Sequence, residues 1–175
     1  MADTSAASDH GTETRGDFTE ALEAAYTRLF TRLVAAAAGI AGDSEAGREA
    51  VQNAFMQMLA SPGPRDLGSI EPWVWRAVVN AAREVRRRSW LADRLRGSGS
   101  GEAERLAPAM SMGHPEVRAA VARLPVKQRT ALFLRHYADM DYAAIAAVMG
   151  VSEGTVGSTL NAAHRALRSA LEECS

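Results

Sequence analysis

The side chains best suited to chemistry lie along one face of a segment near the C-terminus. They are Thr155, Ser158, Asn161 and Arg165, spaced three and four residues apart. Hydroxyl, amide and guanidinium groups at this spacing share one side of an α-helix, and they match the donors and acceptors on the edges of DNA bases. The chemistry that this face offers is therefore recognition of bases in the major groove.

The residues around this face have the pattern of a helix, a tight turn and a second helix. Gly150 supplies the backbone freedom that a helix end needs, and Ser152 is a good N-cap for the second helix. Apolar residues recur at three and four on both sides of the turn: Tyr142, Ile145, Ala146 and Met149, then Val156, Leu160, Ala163 and Leu167. This pattern is typical of a DNA-binding helix-turn-helix, although an ordinary helical hairpin shares it.

No comparable arrangement points to catalysis or to metal binding. The four histidines, His10, His114, His136 and His164, are scattered without metal-ligand spacing, and no Gly-rich phosphate loop follows a strand. The single Cys174 can form neither an internal disulfide nor a cysteine-based metal site. We therefore expect no enzymatic activity, no cofactor and no metal.

Charge is distributed unevenly along the chain. The 175 residues carry a formal net charge of −1, so any charge that attracts nucleic acid must be local. Between Pro72 and Arg96, seven arginines face only Glu84 and Asp93, which gives that stretch a net charge of +5. A basic helix beside aromatic residues suits a phosphate backbone and unstacked bases, although a solvated Arg-rich helix end looks the same.

The composition predicts an all-α protein, because Ala, Leu, Arg and Glu are abundant and strand-forming runs are few. We expect two small helical domains joined by a flexible linker. The predicted segments are a disordered tail over 1–16, a three-helix domain over 17–96, a linker over 97–115 and a four-helix domain over 116–172.

Within the first domain, the spacing predicts helices over 17–41, 45–60 and 72–95, the second capped by Asp43 or Ser44 and the third preceded by a Pro- and Gly-rich loop over 61–71. Tyr26 falls on the apolar stripe of the first helix. Trp73 is expected in the core, and Trp75 is left open. No apolar run reaches the roughly 20 residues that span a bilayer, and the N-terminus does not read as a signal peptide, so we expect a cytoplasmic protein without a membrane partner.

The two halves together resemble a known family. The C-terminal half, LPVKQRTALFLRHYADMDYAAIAAVMGVSEGTVGSTLNAAHRALRSAL, resembles region four of the sigma-70 family in its Leu-Pro, Gln-Arg, Ile-Ala, Gly-Val-Ser and Gly-Thr-Val elements. The segments AGDSEAGREAVQNAFMQML and EPWVWRAVVNAAREVRRRSW resemble region two. Two such halves and a short linker are similar to the extracytoplasmic-function (ECF) sigma factors, over about residues 17–171.

This resemblance implies a transcription initiation factor that binds core RNA polymerase, through the clamp of its largest subunits, and directs it to promoter DNA. The resemblance places four residues on the polymerase-facing helix: Glu49, Gln52, Asn53 and Met56. It places four on the helix that meets the melted downstream box, the −10 element: Asn80, Arg83, Arg86 and Arg87. For the upstream box, the −35 element, it assigns Thr155, Ser158, Asn161 and Arg165, with Lys127 and Arg129 near the phosphates.

Such factors are expected to be monomers when free, and an anti-sigma factor is a typical further partner of the group. The chain departs from the family pattern at Gly47 and Arg48, where acidic residues are usual, at Ala144, where Glu is frequent, and at Gly157 and His164, where basic residues are frequent. The departures on the reading helix predict weaker binding to the upstream box. The alternative is a stand-alone helix-turn-helix regulator, which usually binds DNA as a symmetric dimer.

Overall fold

The computed structural model describes residues 6–61, 70–96 and 114–173. All regular structure within these ranges is helical, which confirms the predicted fold class. The helices are α1 (Ala6–Ala41), α2 (Ser44–Ala60), α3 (Ile70–Arg96), α4 (Pro115–Arg123), α5 (Val126–His136), α6 (Tyr142–Met149) and α7 (Glu153–Glu172).

The first module consists of α1, α2 and α3, which all pack on one another. Asp43 caps α2 by accepting a hydrogen bond from the backbone N–H of Ala46 at 2.7 Å. Gly47 lets α2 approach α1 closely, since a Cβ on it would lie 2.5 Å from the backbone of Ala38. The departure from the family pattern at Gly47 thus has a packing reason: this position faces α1 and is buried.

Trp73, which the sequence predicted in the core, lies at its margin, and Trp75, which the sequence left open, lies in the core. Trp75 is 1% exposed, whereas Trp73 is half-buried with its ring edge-on to Phe18 at 5.8 Å. The buried stripe of α3 is centred on Val78 and Ala82, so position 75 falls inside it and position 73 at its margin.

The helix boundaries differ from the predicted ones in two places. The prediction of a disordered tail over 1–16 is wrong from Ala6 onward, where α1 already begins. Extending an existing helix adds one hydrogen bond for each residue fixed, so a few helix-compatible residues suffice to lengthen it. The third helix begins at Ile70, two residues before the expected Pro72. Most of the predicted linker, residues 97–113, and part of the predicted loop, residues 62–69, lie outside the described residues.

The second module is built from α4 to α7 around a helix-turn-helix. Asp141 caps α6 and Ser152 caps α7, through bonds from the N–H groups of Ala144 at 2.8 Å and Thr155 at 3.2 Å. Gly150 ends α6 with φ of 68°, the left-handed conformation that a residue without a Cβ adopts cheaply. The predicted roles of Gly150 at the turn and of Ser152 as the N-cap are both confirmed.

The two modules also pack against each other, α1 against α5 and α3 against α6. The ring of Phe133 lies directly on Gly39, where α1 has no side chain. The Arg32 guanidinium donates hydrogen bonds to the carbonyls of Tyr137, at 3.3 Å, and Ala138. These contacts join one face of the first module to the end of α5 in the second.

Among the described residues, no single helix is long and apolar enough to cross a membrane. Only α6 and α7 taken together, a pair bent by 98°, pass on length and composition.

Candidate nucleic-acid interface

The predicted reading face of α7 is presented to solvent. Thr155, Ser158, Asn161 and Arg165 are all exposed, while the opposite face of the helix buries Val156, Leu160 and Ala163 in the module. The apolar spacing therefore fixes the rotation of α7, and that rotation turns the polar residues outward.

The hydroxyl groups on this face are bonded within the helix. The carbonyl of Thr155 accepts hydrogen bonds from Ser158 Oγ at 3.0 Å and from Thr159 Oγ1 at 2.6 Å. The Thr155 hydroxyl lies 2.9 Å from Ser152 Oγ. Contact with a base would exchange these bonds for equivalent ones, so the net gain from each hydroxyl is small. The side chains of Asn161 and Arg165 have no hydrogen-bond partner among the described residues and can reach a base edge without such an exchange.

Gly157 also lies on the outer side of α7, beside the ring of Tyr142. A Cβ at this position would lie 3.5 Å from Tyr142 Cε2, an ordinary van der Waals contact. A methyl group would fit there. The family's basic residue is therefore absent at a position that Tyr142 partly covers.

The two residues predicted near the phosphates are in different environments. Lys127 is exposed in the first turn of α5, as a phosphate contact requires. Arg129 is 0% exposed, and its guanidinium donates hydrogen bonds to the carbonyls of Ala122 and Leu124 at the end of α4. The prediction that Arg129 reaches DNA is wrong, because the last carbonyls of α4 need donors and Arg129 supplies them from the core.

The predicted −10 residues follow α3 along its outer side. Asn80 and Arg87 are exposed, whereas Arg83 and Arg86 are half-buried. Burial lowers the pKa of Arg83, although a guanidinium stays charged at any physiological pH. The Arg86 guanidinium lies beside Gly42, 3.3 Å from where a Cβ would be, so Arg86 is directed toward the turn between α1 and α2.

Arg87 forms a two-point ion pair with Glu84, with N–O distances of 2.8 and 2.9 Å. The hydrogen bond from Arg87 lowers the pKa of Glu84, and the same bond raises the pKa of Arg87. Both side chains are exposed, so solvent screens the pair and a phosphate can compete for the guanidinium.

The predicted polymerase-facing residues lie together on α2. Glu49 and Gln52 are exposed, Met56 is 63% exposed, and Asn53 is half-buried with its amide donating to Glu49 Oε1 at 3.3 Å. Arg88 of α3 also contacts Glu49 Oε1, at 3.3 Å. This face of α2 therefore combines an exposed apolar side chain, Met56, with the ion pair between Glu49 and Arg88.

Sequence reasoning missed three apolar residues next to this face. Tyr26, predicted on the core stripe, is 41% exposed, and Phe30 on α1 and Leu59 on α2 are 37% and 45% exposed. The ring of Tyr26 lies 4.8 Å from that of Phe55 and 4.9 Å from that of Phe30. The spacing of four residues between Tyr26 and Phe30 was the available signal, since it extends the apolar surface beyond the narrow stripe that α2 and α3 cover.

The comparisons with known proteins agree with this arrangement. Residues 114–168 match the family model described as sigma-70, region 4. No curated protein sequence matches the chain. The fold is similar to that in the co-crystal structure of the sigma factor RpoE in complex with the anti-sigma factor NepR from Bartonella quintana, with 20% sequence identity and a TM-score of 0.56 over 89% of this chain and 97% of that one. Residues 114–168 are therefore similar to sigma-70 region 4, and the fold of the chain is similar to that of this solved sigma factor.

Proposed function

We propose that this chain is a sigma factor of the ECF group, which binds core RNA polymerase and directs promoter-specific initiation, with the first module engaging the melted −10 element and the second the −35 element. The observation that carries the proposal is the exposed polar face of α7. This helix is the second helix of the helix-turn-helix, in the segment that matches region 4. Neither module is proposed to carry out a chemical reaction, and the activity belongs to the cytoplasm, where polymerase meets the chromosome.

At the −35 element, α7 would enter the major groove with Asn161 and Arg165 reading base edges. Each well-formed contact of this kind is worth roughly 1–3 kcal/mol of discrimination between bases. Thr155 and Ser158 would add contacts of smaller net value, because each must first give up its bond within the helix. Lys127 would contact a phosphate and fix the orientation of the module.

At the −10 element, the outer side of α3 would hold the separated strand. Unstacking a base costs a few kcal/mol, so the protein has to supply compensating contacts. Asn80 offers an amide that can both donate and accept, while Arg83, Arg86 and Arg87 supply positive charge to the backbone.

The polymerase would bind the mixed face of α2. Met56 is uncovered there, and exposed apolar residues that cluster within a polar rim mark protein–protein contact sites. Tyr26, Phe30 and Leu59 would widen the same surface. Since the similar solved sigma factor is bound to an anti-sigma factor, we propose that a partner of that class also controls this chain, which would be a monomer when free.

Run-off transcription tests the proposal directly. Purified chain and core polymerase are incubated with a library of promoter fragments, and we expect specific transcripts that core polymerase alone does not give. Size-exclusion chromatography supplies the second readout, in which the chain should elute as a monomer and shift into the polymerase fraction. A stand-alone regulator would instead bind duplex DNA by itself, as a dimer, and would leave transcription by core polymerase unchanged.

The division of labour between the modules has its own test. Replacing Arg83 and Arg86 with Ala should lower open-complex formation on a promoter that the library identifies, while binding of the −35 element is kept. Equal loss of both would contradict the role given to α3.

A further inference from the structure

An apolar cavity lies on the second module between α4, α5 and α7. Its volume is about 300 Å³, at the lower end of the range for small-molecule sites. Val121, Leu132 and Phe133 are buried in its wall, whereas Val117 and Leu167 are half-buried. The lining residues are Val117, Val121, Leu132, Phe133, His136, Tyr137, His164 and Leu167. None of them has a role in the proposed function, so that function does not account for the cavity.

Two imidazoles lie at the mouth of this cavity. His136 on α5 and His164 on α7 are distant in the sequence, yet their ring centroids lie 5.8 Å apart with the ring planes at 66°. Both side chains are exposed. Neither ring has a hydrogen-bond partner within the part of the chain that the structure describes, so the ring nitrogens are available to a ligand. The pair is formed by the packing of α5 on α7, which the spacing of the histidines in the sequence does not reveal.

The charges around the pair favour an anionic ligand over a metal ion. No residue in the lining of the cavity is acidic, and the described residues contain no group of three His, Cys, Asp or Glu side chains that could hold a metal. Arg135 precedes His136 on α5, and Arg168 lines a more open groove that shares His164 with the cavity. The acid in the lining of that groove is Glu172. Two guanidinium groups would repel a divalent cation, whereas they would attract a carboxylate.

The ionisation of the two imidazoles depends on the same surroundings. Burial, and then the charges of His164 and Arg135, lowers the pKa of His136. Burial raises the pKa of Tyr137, so its phenol is neutral and supplies no anion. A bound carboxylate would supply the missing negative charge, and it would accept hydrogen bonds from both rings.

The size of the cavity and its apolar wall define the rest of the ligand. At about 30 Å³ for each water-sized group, the cavity holds about ten heavy atoms. An aliphatic chain placed among Val121, Leu132 and Phe133 would be removed from water, which favours binding. We propose that this cavity binds a small amphipathic carboxylate, whose aliphatic chain fills the space between α4, α5 and α7 and whose anionic head binds His136 and His164. This site goes beyond promoter recognition and does not depend on it.

NMR titration of the full chain tests the proposal with octanoate that is isotope-labelled at its carboxyl carbon. Octanoate should bind the parent chain with a Kd of about 5 mM or tighter at about pH 6, as expected for a ligand of this size. Octanamide has the same chain without the charge, so it should bind at least about fivefold more weakly. Replacing both His136 and His164 with Gln should weaken octanoate binding by at least about fivefold. His114→Gln changes an imidazole outside the cavity and should change Kd less than about twofold.

A substitution that fills the cavity tests where the aliphatic chain lies. In Val117→Trp the indole takes up part of this space, so octanoate should bind at least about tenfold more weakly than to the parent chain. Val126 is a half-buried valine outside the cavity, so Val126→Trp is the matched control and should keep Kd within about twofold. Thermal unfolding confirms that each variant keeps the parent fold.

The pH dependence separates the contact between carboxylate and imidazole from general apolar binding. A protonated imidazole holds a carboxylate more strongly than a neutral one, so octanoate binding should weaken about fivefold between about pH 6 and 8. Octanamide should bind the parent chain equally at both pH values. Octanoate should bind the variant that lacks both histidines equally at both pH values as well.

The proposal is overturned if the parent chain does not bind octanoate at about 20 mM, if Val117→Trp binds it as tightly as the parent, or if Val126→Trp loses as much. It is also overturned if octanamide binds as tightly as octanoate at about pH 6, because the two imidazoles would then have no part in binding.

Discussion

The contact between Gly39 and Phe133 gives the sharpest test of how the two modules pack. A Cβ built on Gly39 would lie 2.1 Å from Phe133 Cζ and 2.3 and 2.4 Å from the two Cε atoms. Carbon atoms in contact prefer about 3.5–4.0 Å, so Gly39→Ala requires a displacement of roughly 1.5 Å. The Phe133 ring is buried, and it cannot make that shift within its own module without disturbing other contacts.

Two effects of the substitution oppose each other. Replacing glycine by alanine inside a helix stabilises it by about 1 kcal/mol, whereas overpacking a well-filled interior costs about 1–3 kcal/mol. The clash is removed at lower cost if α5 moves away from α1. This movement breaks the hydrogen bonds that Arg32 donates to the second module. It also breaks the one from the Arg76 guanidinium to the Ala147 carbonyl, at 3.0 Å. We therefore expect Gly39→Ala to separate the modules while each stays folded.

Small-angle X-ray scattering of the full chain measures this separation. A compact chain of 175 residues has a radius of gyration of about 16 Å, and separated modules should raise it to roughly 20 Å or more. Gly16→Ala is the matched control on the same helix, since a Cβ there meets nothing within 4 Å. If Gly39→Ala leaves the radius unchanged and is stabilised as much as Gly16→Ala, then Phe133 does not pack on α1 in solution, and the reasoning fails.

Three further substitutions test local features of the second module. Gly157→Ala should raise the free energy of unfolding by about 1 kcal/mol in denaturant titration, because the methyl group meets Tyr142 at an ordinary contact distance; a loss of stability would contradict that geometry. Arg129→Met should lower it by about 2–4 kcal/mol, since two buried carbonyls lose their donor; a change below about 0.5 kcal/mol would refute the structural role. Burial first, and then the charge of His164, lowers the pKa of His136, so the unfolded chain binds this proton more readily and stability should fall as the pH drops through 6.5 and below. Thermal unfolding between about pH 5 and 8 checks this, and His136→Gln should flatten the profile; equal slopes in both proteins would count against it.

The helices themselves were predictable because their signals are local. Apolar residues at three and four positions define each buried stripe, and Asp43, Asp141 and Ser152 cap the helices at the positions where their side chains can reach a free N–H. The left-handed Gly150 follows from the need to end α6 sharply. These features depend on residues that are neighbours in sequence, so no knowledge of the tertiary structure is needed.

The features that could not be predicted depend on which helices pack against each other in the tertiary structure. The burial of Trp75 and the exposure of Tyr26 follow from how α1, α2 and α3 rotate when packed as a set of three. The burial of Arg129 follows from the place where α4 ends. The packing of Phe133 on Gly39 joins residues 94 positions apart.

The burial of Arg129 also limits how the second module can be divided. A fragment that began at Val126 would contain the whole helix-turn-helix, yet it would lack the Ala122 and Leu124 carbonyls to which this cation is bound. The cation would then face an apolar interior without an acceptor, a situation that proteins avoid by unfolding locally or by drawing in water. A DNA-reading fragment for isolated study should therefore start no later than Pro115, because a single charged side chain makes the short helix α4 a structural requirement of the reading unit.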